Sequence, residues 1–185
     1  MTSSFTVRTA DIAARPWRNG GGTTRELLAR PTGQAWRVRV SVADVVADGP
    51  FSAFPEVARW FAVIDGAGVV LTVDGVEHRC IADAEPLAFS GEADTRSRLI
   101  DGPTRDLNLM LRGVRGEMRR VSPDRAFRPV TSECGLYASA AGRIRTPTDD
   151  EPITAHALRW WSAAPGSLAF DGTGWWLSAN IAPAS

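Results

Sequence analysis

The chain has 185 residues with 21 basic and 21 acidic side chains, so its formal charge is zero, and every basic residue is arginine. Without lysine there is no Schiff-base chemistry, no pyridoxal attachment and no P-loop lysine. Two histidines cannot build a three-His metal site, Cys80 and Cys134 lie far outside zinc-ligand spacing, and balanced charge argues against a general nucleic-acid or membrane-surface binder.

The length suits one domain, or one built from two intimately fused halves. Met1 to Ala14 has no apolar run, being interrupted by Arg8 and Asp11, so no signal peptide is expected and the protein is read as cytoplasmic. Thr9 to Arg15 predicts one or two helical turns, with Thr9 as cap and Pro16 as stop. Trp36 to Val45 alternates, with Val38, Val40 and Val42 on one face and Arg37, Arg39 and Ser41 on the other. Pro50 to Arg59 has room for a further helical turn. Val69 to Val73, Asp74-Gly75 and Val76 to Ile81 predict a hairpin, because Asp-Gly supplies the positive φ angles of a type I′ turn. Asp106 to Leu111 alternates again, Leu107, Leu109 and Leu111 opposing Asp106, Asn108 and Met110. Period two over such lengths is the signature of half-buried strands.

The arginine-rich stretch from Gly113 to Arg128, which includes Ser122-Pro123-Asp124, reads as a connection between two halves. Arg143 to Pro152 reads as a polar loop. Ala155 to Ile181 is strand-like and carries Trp160, Trp161, Trp175 and Trp176. Many short strands at close spacing predict a sandwich or barrel.

Three segments could carry chemistry. Consecutive glycines cost backbone entropy, so Gly20-Gly21-Gly22 serve either a tight corner or a close approach to a ligand. Asp106 and Asn108 share one strand face, which is either solvated or lines a semi-polar interior. Arg39 and Ser41 share another, where an inward guanidinium would form a carboxylate fork, with Phe51 and Phe54 as an apolar wall. The histidines, His78 and His156, lack companions at metal-ligand spacing, and the cysteines read as packed thiols.

Pro16-Trp17-Arg18-Asn19-Gly20-Gly21-Gly22-Thr23-Thr24-Arg25-Glu26 resembles the first signature of the HutD/Ves family. Asp48-Gly49-Pro50-Phe51-Ser52 with Phe54-Pro55 resembles the second. Asp101-Gly102-Pro103 with Arg105-Asp106, Asn108, Met110 and Arg112 resembles the third. The chain departs from the pattern where Glu56 and Ala58 replace the usual Gly and Asp after Phe-Pro. Its Trp36 also stands three residues before Arg39, with Val38 in the expected tryptophan slot.

The resemblance implies an all-β, cupin-like bicupin of two fused small antiparallel barrels. Residues 1–185 would form a single unit, with a main barrel over 1–116 and a second, intimately packed half-barrel over 117–185. It implies a metal-free protein without cofactor that binds a small acidic metabolite, such as urocanate or formylglutamate, and restrains flux through histidine utilisation. The alternative is a metal-independent isomerase or hydrolase with Asp106 as base. Asn19, Thr24, Arg39, Ser41, Phe51, Phe54, Asp106, Asn108 and Met110 are expected around one cavity, with Arg39 as the inward fork and Asp106 orienting it or accepting an imidazole N–H. Arg39→Ala is expected to weaken binding by roughly ten- to a hundredfold. No nucleic-acid or membrane partner is expected, and a homodimer through a sheet edge is an allowed assembly.

Overall fold

The computed structural model describes residues 4–122 and 125–181. Pro123 and Asp124 of the expected connection lie outside the described residues. Every strand pairing is antiparallel, and the chain separates into two compact units. One is residues 12–113; the other joins the N-terminal segment up to Asp11 to the chain from Val114 onwards.

The N-terminal segment contributes β1 (Ser4–Arg8) and a single 3-10 turn, Thr9–Asp11. The expected longer helix is absent. Thr9 is buried inside the turn instead of capping it, and the chain is extended again at β2 (Arg15–Pro16). No apolar stripe exists there to hold a helix against a core, and short helices are marginal without one.

The 12–113 unit continues with β3 (Gly22–Arg30), β4 (Val38–Val45), β5 (Gly49–Pro50) and β6 (Val57–Asp65). β7 (Val69–Val73), β8 (Val76–Cys80), β9 (Leu87–Ser90), β10 (Thr95–Leu99) and β11 (Thr104–Arg112) complete it. These form a six-stranded sheet, β2-β3-β4-β11-β6-β9, and a four-stranded sheet, β5-β10-β7-β8. Phe61 and Val63 from the first pack on Val69 and Leu71 from the second. The β7–β8 hairpin turns on Asp74 (φ 47°) and Gly75 (φ 82°), as Asp-Gly predicts. No helical turn forms over 50–59, where an extended segment and one tight turn lead into β6. Glu56 there has φ 60°, which explains why glycine is usual at that position in the resembling family.

The other unit adds β12 (Gly116–Arg120), β13 (Glu133–Ala138), β14 (Gly142–Arg145), β15 (Asp150–Ile153), β16 (Ala157–Trp161), β17 (Ala169–Phe170) and β18 (Gly174–Ala179). It contains a five-stranded sheet, β1-β16-β13-β18-β12, and a three-stranded sheet, β15-β14-β17. Two sequence expectations change here. The arginine-rich connection contains β12, whose Met118 is buried between half-buried Glu117 and exposed Arg119, so part of it is sheet. The polar loop at 143–152 is a hairpin that buries Ile144 and Ile153, while Arg143 and Asp150 pair on its surface at 2.9 Å. The four C-terminal tryptophans are all buried. Among the described residues no helix is long and apolar enough to cross a membrane.

Candidate functional site

The six-stranded sheet presents one face to a cavity of about 570 Å³ contained within the 12–113 unit. Paired residues in an antiparallel sheet stand side by side on the same face. The register therefore arranges the cavity face in rows. Thr24, Ala43, Asp106 and Val63 form the first; Glu26, Ser41, Asn108, Phe61 and Leu87 the second; Ala29, Arg39, Met110, Arg59 and Phe89 the third. A bulge between Glu26 and Leu28 lets Leu27 and Leu28 both be buried while Glu26 stays on the cavity side.

Asn19, Thr24, Arg39, Ser41, Phe51, Phe54, Asp106, Asn108 and Met110 all line this one cavity. The polar face of β11 is accordingly withdrawn from solvent, Asp106 at 0% and Asn108 at 5% exposure. Arg37, expected on one face with Arg39, lies just before β4 and outside the cavity lining, where it donates to the Gly113 carbonyl at 3.0 Å.

The glycine run makes a corner. Gly20 takes φ +72°, and a Cβ on Gly22 would lie 2.3 Å from the Asp44 carbonyl oxygen and 3.0 Å from the Trp17 ring. Asn19 closes this turn by accepting from the Gly21 amide at 3.0 Å. Trp17 is thereby laid over the cavity, where its Nε1 donates to Thr24 Oγ1 at 2.7 Å.

The innermost cation is Arg59, not Arg39. Arg59 is 5% exposed on β6, flanked by the rings of Phe89, Phe51 and Phe54 at 5.0, 5.3 and 5.6 Å. It donates to Asn108 Oδ1 at 3.2 Å and weakly to the Ser52 carbonyl at 3.5 Å, while its Nε has no partner. No carboxylate among the described residues pairs with it. Burial, and then the neighbouring charge of Arg39, lower its pKa to about 10, so it remains a cation near neutrality. Arg39 forms an ion pair with Glu26 at 2.8 Å.

The expected Arg39–Asp106 contact is not made. Neither Asp106 oxygen has a hydrogen-bond partner, and burial, followed by the charge of Asp44, raises its pKa well above the carboxylate range. Asp44 itself is lowered by hydrogen bonds from Arg105 and Arg25, which outweigh its own desolvation.

Arg59 was legible in part. Period two places it with Val57, Phe61 and Val63 on the inward face of β6, an arginine in an apolar register. Arg18 and Glu26 of the first signature segment and Ser52 of the second also line the cavity, as does Arg15, which stands outside those segments.

The lining offers two carboxylates, Glu26 and Asp106, and no imidazole or thiol. His78 lies on β8, outside the lining, and His156 lies in the other unit, 3.5 Å from the Tyr137 hydroxyl. Burial pushes the Cys80 thiol up to about 11 and Cys134 to about 12, leaving both protonated near neutrality. Chemically the site is a half-apolar pocket with one buried cation that lacks a carboxylate partner, one cation paired with Glu26, one orphaned carboxyl, and two exposed arginines, Arg15 and Arg18, also in its lining.

The HutD family profile matches residues 9–177. Protein Ves of Cronobacter sakazakii is 30% identical over 82% of this chain and 83% of its own length. A 21.2 kDa protein from the hutC 3′ region of Pseudomonas putida is 38% identical over 60% and 59%. HutD from Pseudomonas fluorescens SBW25 superposes with a TM-score of 0.84 at 27% identity, covering 96% of this chain and 98% of its own. Salicylate 1,2-dioxygenase from Pseudoaminobacter salicylatoxidans shares the cupin-like fold alone, with a TM-score of 0.61 at 9% identity over 95% of this chain and 81% of its own. The profile match across nearly the whole chain, with an all-β cupin-like fold beneath it, places this protein in the HutD family, which is linked by name to histidine utilisation.

Proposed function

We propose that this protein is a cytoplasmic binding protein for a small acidic metabolite, of the urocanate or formylglutamate type, and that occupancy modulates histidine utilisation. The observation that carries the reading is Arg59, a buried guanidinium with no carboxylate partner and an unused Nε donor, in a cavity of metabolite size. An uncompensated buried cation is costly, and a bound carboxylate would offset that cost through charge-assisted hydrogen bonds. The phenylalanine rings around it exclude water and so strengthen such a contact. Each unit sets a larger antiparallel sheet beside a smaller one, which is why we read the chain as two cupin-like barrels, a bicupin.

A metal-independent isomerase or hydrolase has less behind it. Asp106 would have to act without an imidazole beside it, because both histidines stand outside the cavity lining. Calorimetric titration with urocanate and formylglutamate tests the binding reading. Arg59→Met, which keeps the packing against the rings, is expected to weaken binding by roughly ten- to a hundredfold. Unchanged affinity in that variant would remove Arg59 from the site.

A further inference from the structure

β8 is the edge of the four-stranded sheet β5-β10-β7-β8: it pairs with β7, and among the described residues no strand pairs with its other side. The Asp74-Gly75 turn sets which backbone groups face that open side. Val73 and Val76 flank a two-residue turn and so exchange both ladder hydrogen bonds, and such pairs alternate along an antiparallel strand. Val76, His78 and Cys80 therefore spend their amides and carbonyls on β7, whereas Glu77 and Arg79 turn theirs outward. Val76 (59% exposed) and Ile81 (41%), at the two ends of this edge, are two of the four large apolar side chains exposed among the described residues.

Charges on an edge strand ordinarily deter pairing. On β8 their order makes the edge complementary to itself. Glu77 and Arg79 stand symmetrically about His78, with opposite signs, on one face of the strand. We propose that β8 is a dimerisation edge: two copies of this chain pair antiparallel through it about a two-fold axis at His78, joining their four-stranded sheets into one. Glu77 then lies opposite Arg79 of the second copy, and Arg79 opposite its Glu77. Both pairs exchange the outward backbone hydrogen bonds and set opposite charges side by side. Val76 comes to lie against Cys80 of the second copy, which covers the exposed valine.

The register is selected by charge. Outward-facing residues must meet outward-facing residues, so the axis can move only by whole residues along the strand. An axis at Glu77 opposes two glutamates, and one at Arg79 opposes two arginines. An axis at Cys80 sets Arg79 against Ile81. Both charged side chains are available for the contact. Glu77 pairs loosely with Arg98 at 3.9 Å, both being more than half exposed, and Arg79 has no ion pair among the described residues. The edge strand β12 of the other unit carries a similar couple, but there Glu117 and Arg119 already close on each other at 2.8 Å.

Sedimentation velocity of the full chain, from about 1 to 500 µM at low salt, tests the proposal; so short an edge should give a dissociation constant on the order of tens of micromolar. Glu77→Arg and Arg79→Glu should each weaken the dimer about tenfold or more, because each turns two attractive pairs into two repulsive ones. The double variant Glu77→Arg/Arg79→Glu should return to within a few-fold of the wild type. His78→Cys in a Cys80→Ser background should form a disulfide-linked dimer on mild oxidation, since facing residues at the axis have Cα atoms about 4.5 Å apart. Ile81→Cys in the same background, roughly 20 Å from its mate, should not. Circular dichroism reports whether each variant folds, and the cross-link decides where a charge variant does not. A wild type that stays monomeric throughout overturns the proposal. A dimer indifferent to both reversals, one that the double swap fails to restore, or one linked equally through Ile81→Cys overturns it as well.

Discussion

The two units are built alike and filled differently. In the unit from Val114 onwards, the space beside the five-stranded sheet is packed with Leu136, Trp161, Leu168, Phe170 and Trp176, and Phe127 stacks on Trp176 at 5.2 Å and 5°. In the 12–113 unit, the comparable face of the larger sheet carries Arg39, Arg59, Asp106 and Asn108 around open space. The filled unit also satisfies its buried acid, because Glu133 accepts from Trp160 Nε1 at 2.7 Å. The open unit leaves Asp106 without a partner. One sheet architecture can thus end as core or as site, and the difference lies in which residues occupy the inward rows.

The largest effect should come from emptying the filled unit. Trp176→Ala removes a buried ring stacked on Phe127 and is expected to cost about 3–5 kcal/mol in chemical denaturation. Urocanate affinity should survive in the folded fraction. A loss below about 1 kcal/mol would mean that this unit is not close-packed and that the contrast fails.

A smaller effect is expected from Asp106, read through pH. Its pKa is raised in the folded protein and returns to the ordinary carboxylate range on unfolding. Between those two values the folded state holds a proton that the unfolded state has released. The Asp106 contribution is therefore fully present below the unfolded pKa and is lost as pH rises through the folded one. Within that window stability should fall by up to about 1.4 kcal/mol per pH unit, and Asp106→Asn should remove this slope. Urea denaturation of both proteins at a series of pH values from about 4 upward checks it; parallel stability curves would mean that Asp106 is not protonated in the fold.

The smallest effect belongs to Arg39. Its ion pair with Glu26 already neutralises it, so Arg39→Ala should weaken acid binding only a few-fold, well short of the Arg59 variant. Glu26→Gln should tighten binding by a similar factor. An Arg39→Ala loss as large as that of Arg59→Met would restore Arg39 as the principal fork.

Local signals carried the parts of the fold that the sequence disclosed. The Asp74-Gly75 turn and the alternation in β4 and β11 depend on neighbours within a few residues, and each appears as read. The hairpin at 142–153 was read as a loop because each strand buries only one large apolar residue, and the core that Ile144 and Ile153 join is assembled from distant parts of the chain. Arg59 was passed over because an arginine in a strand is ordinarily solvated. The arrival of Phe51 and Phe54 from the segment before β6, and of Phe89 from β9, helps to bury it. Asp106 and Asn108 could be nominated from one strand, yet their withdrawal from solvent depends on chain far away.

The pairing of β1 with β16 has a consequence for the order in which the protein can assemble. Ser4 sits opposite Trp161 and Arg8 opposite Ala157, so β1 must await a strand that lies far later in the chain. The 12–113 unit is continuous and can fold while synthesis proceeds, whereas the sheet containing β1 closes only afterwards. Closing so long a loop is slow, and it leaves an edge of β16 exposed until the N-terminus returns. A nascent or truncated chain without residues 4–8 should therefore keep the cavity-bearing unit yet aggregate through that uncovered edge.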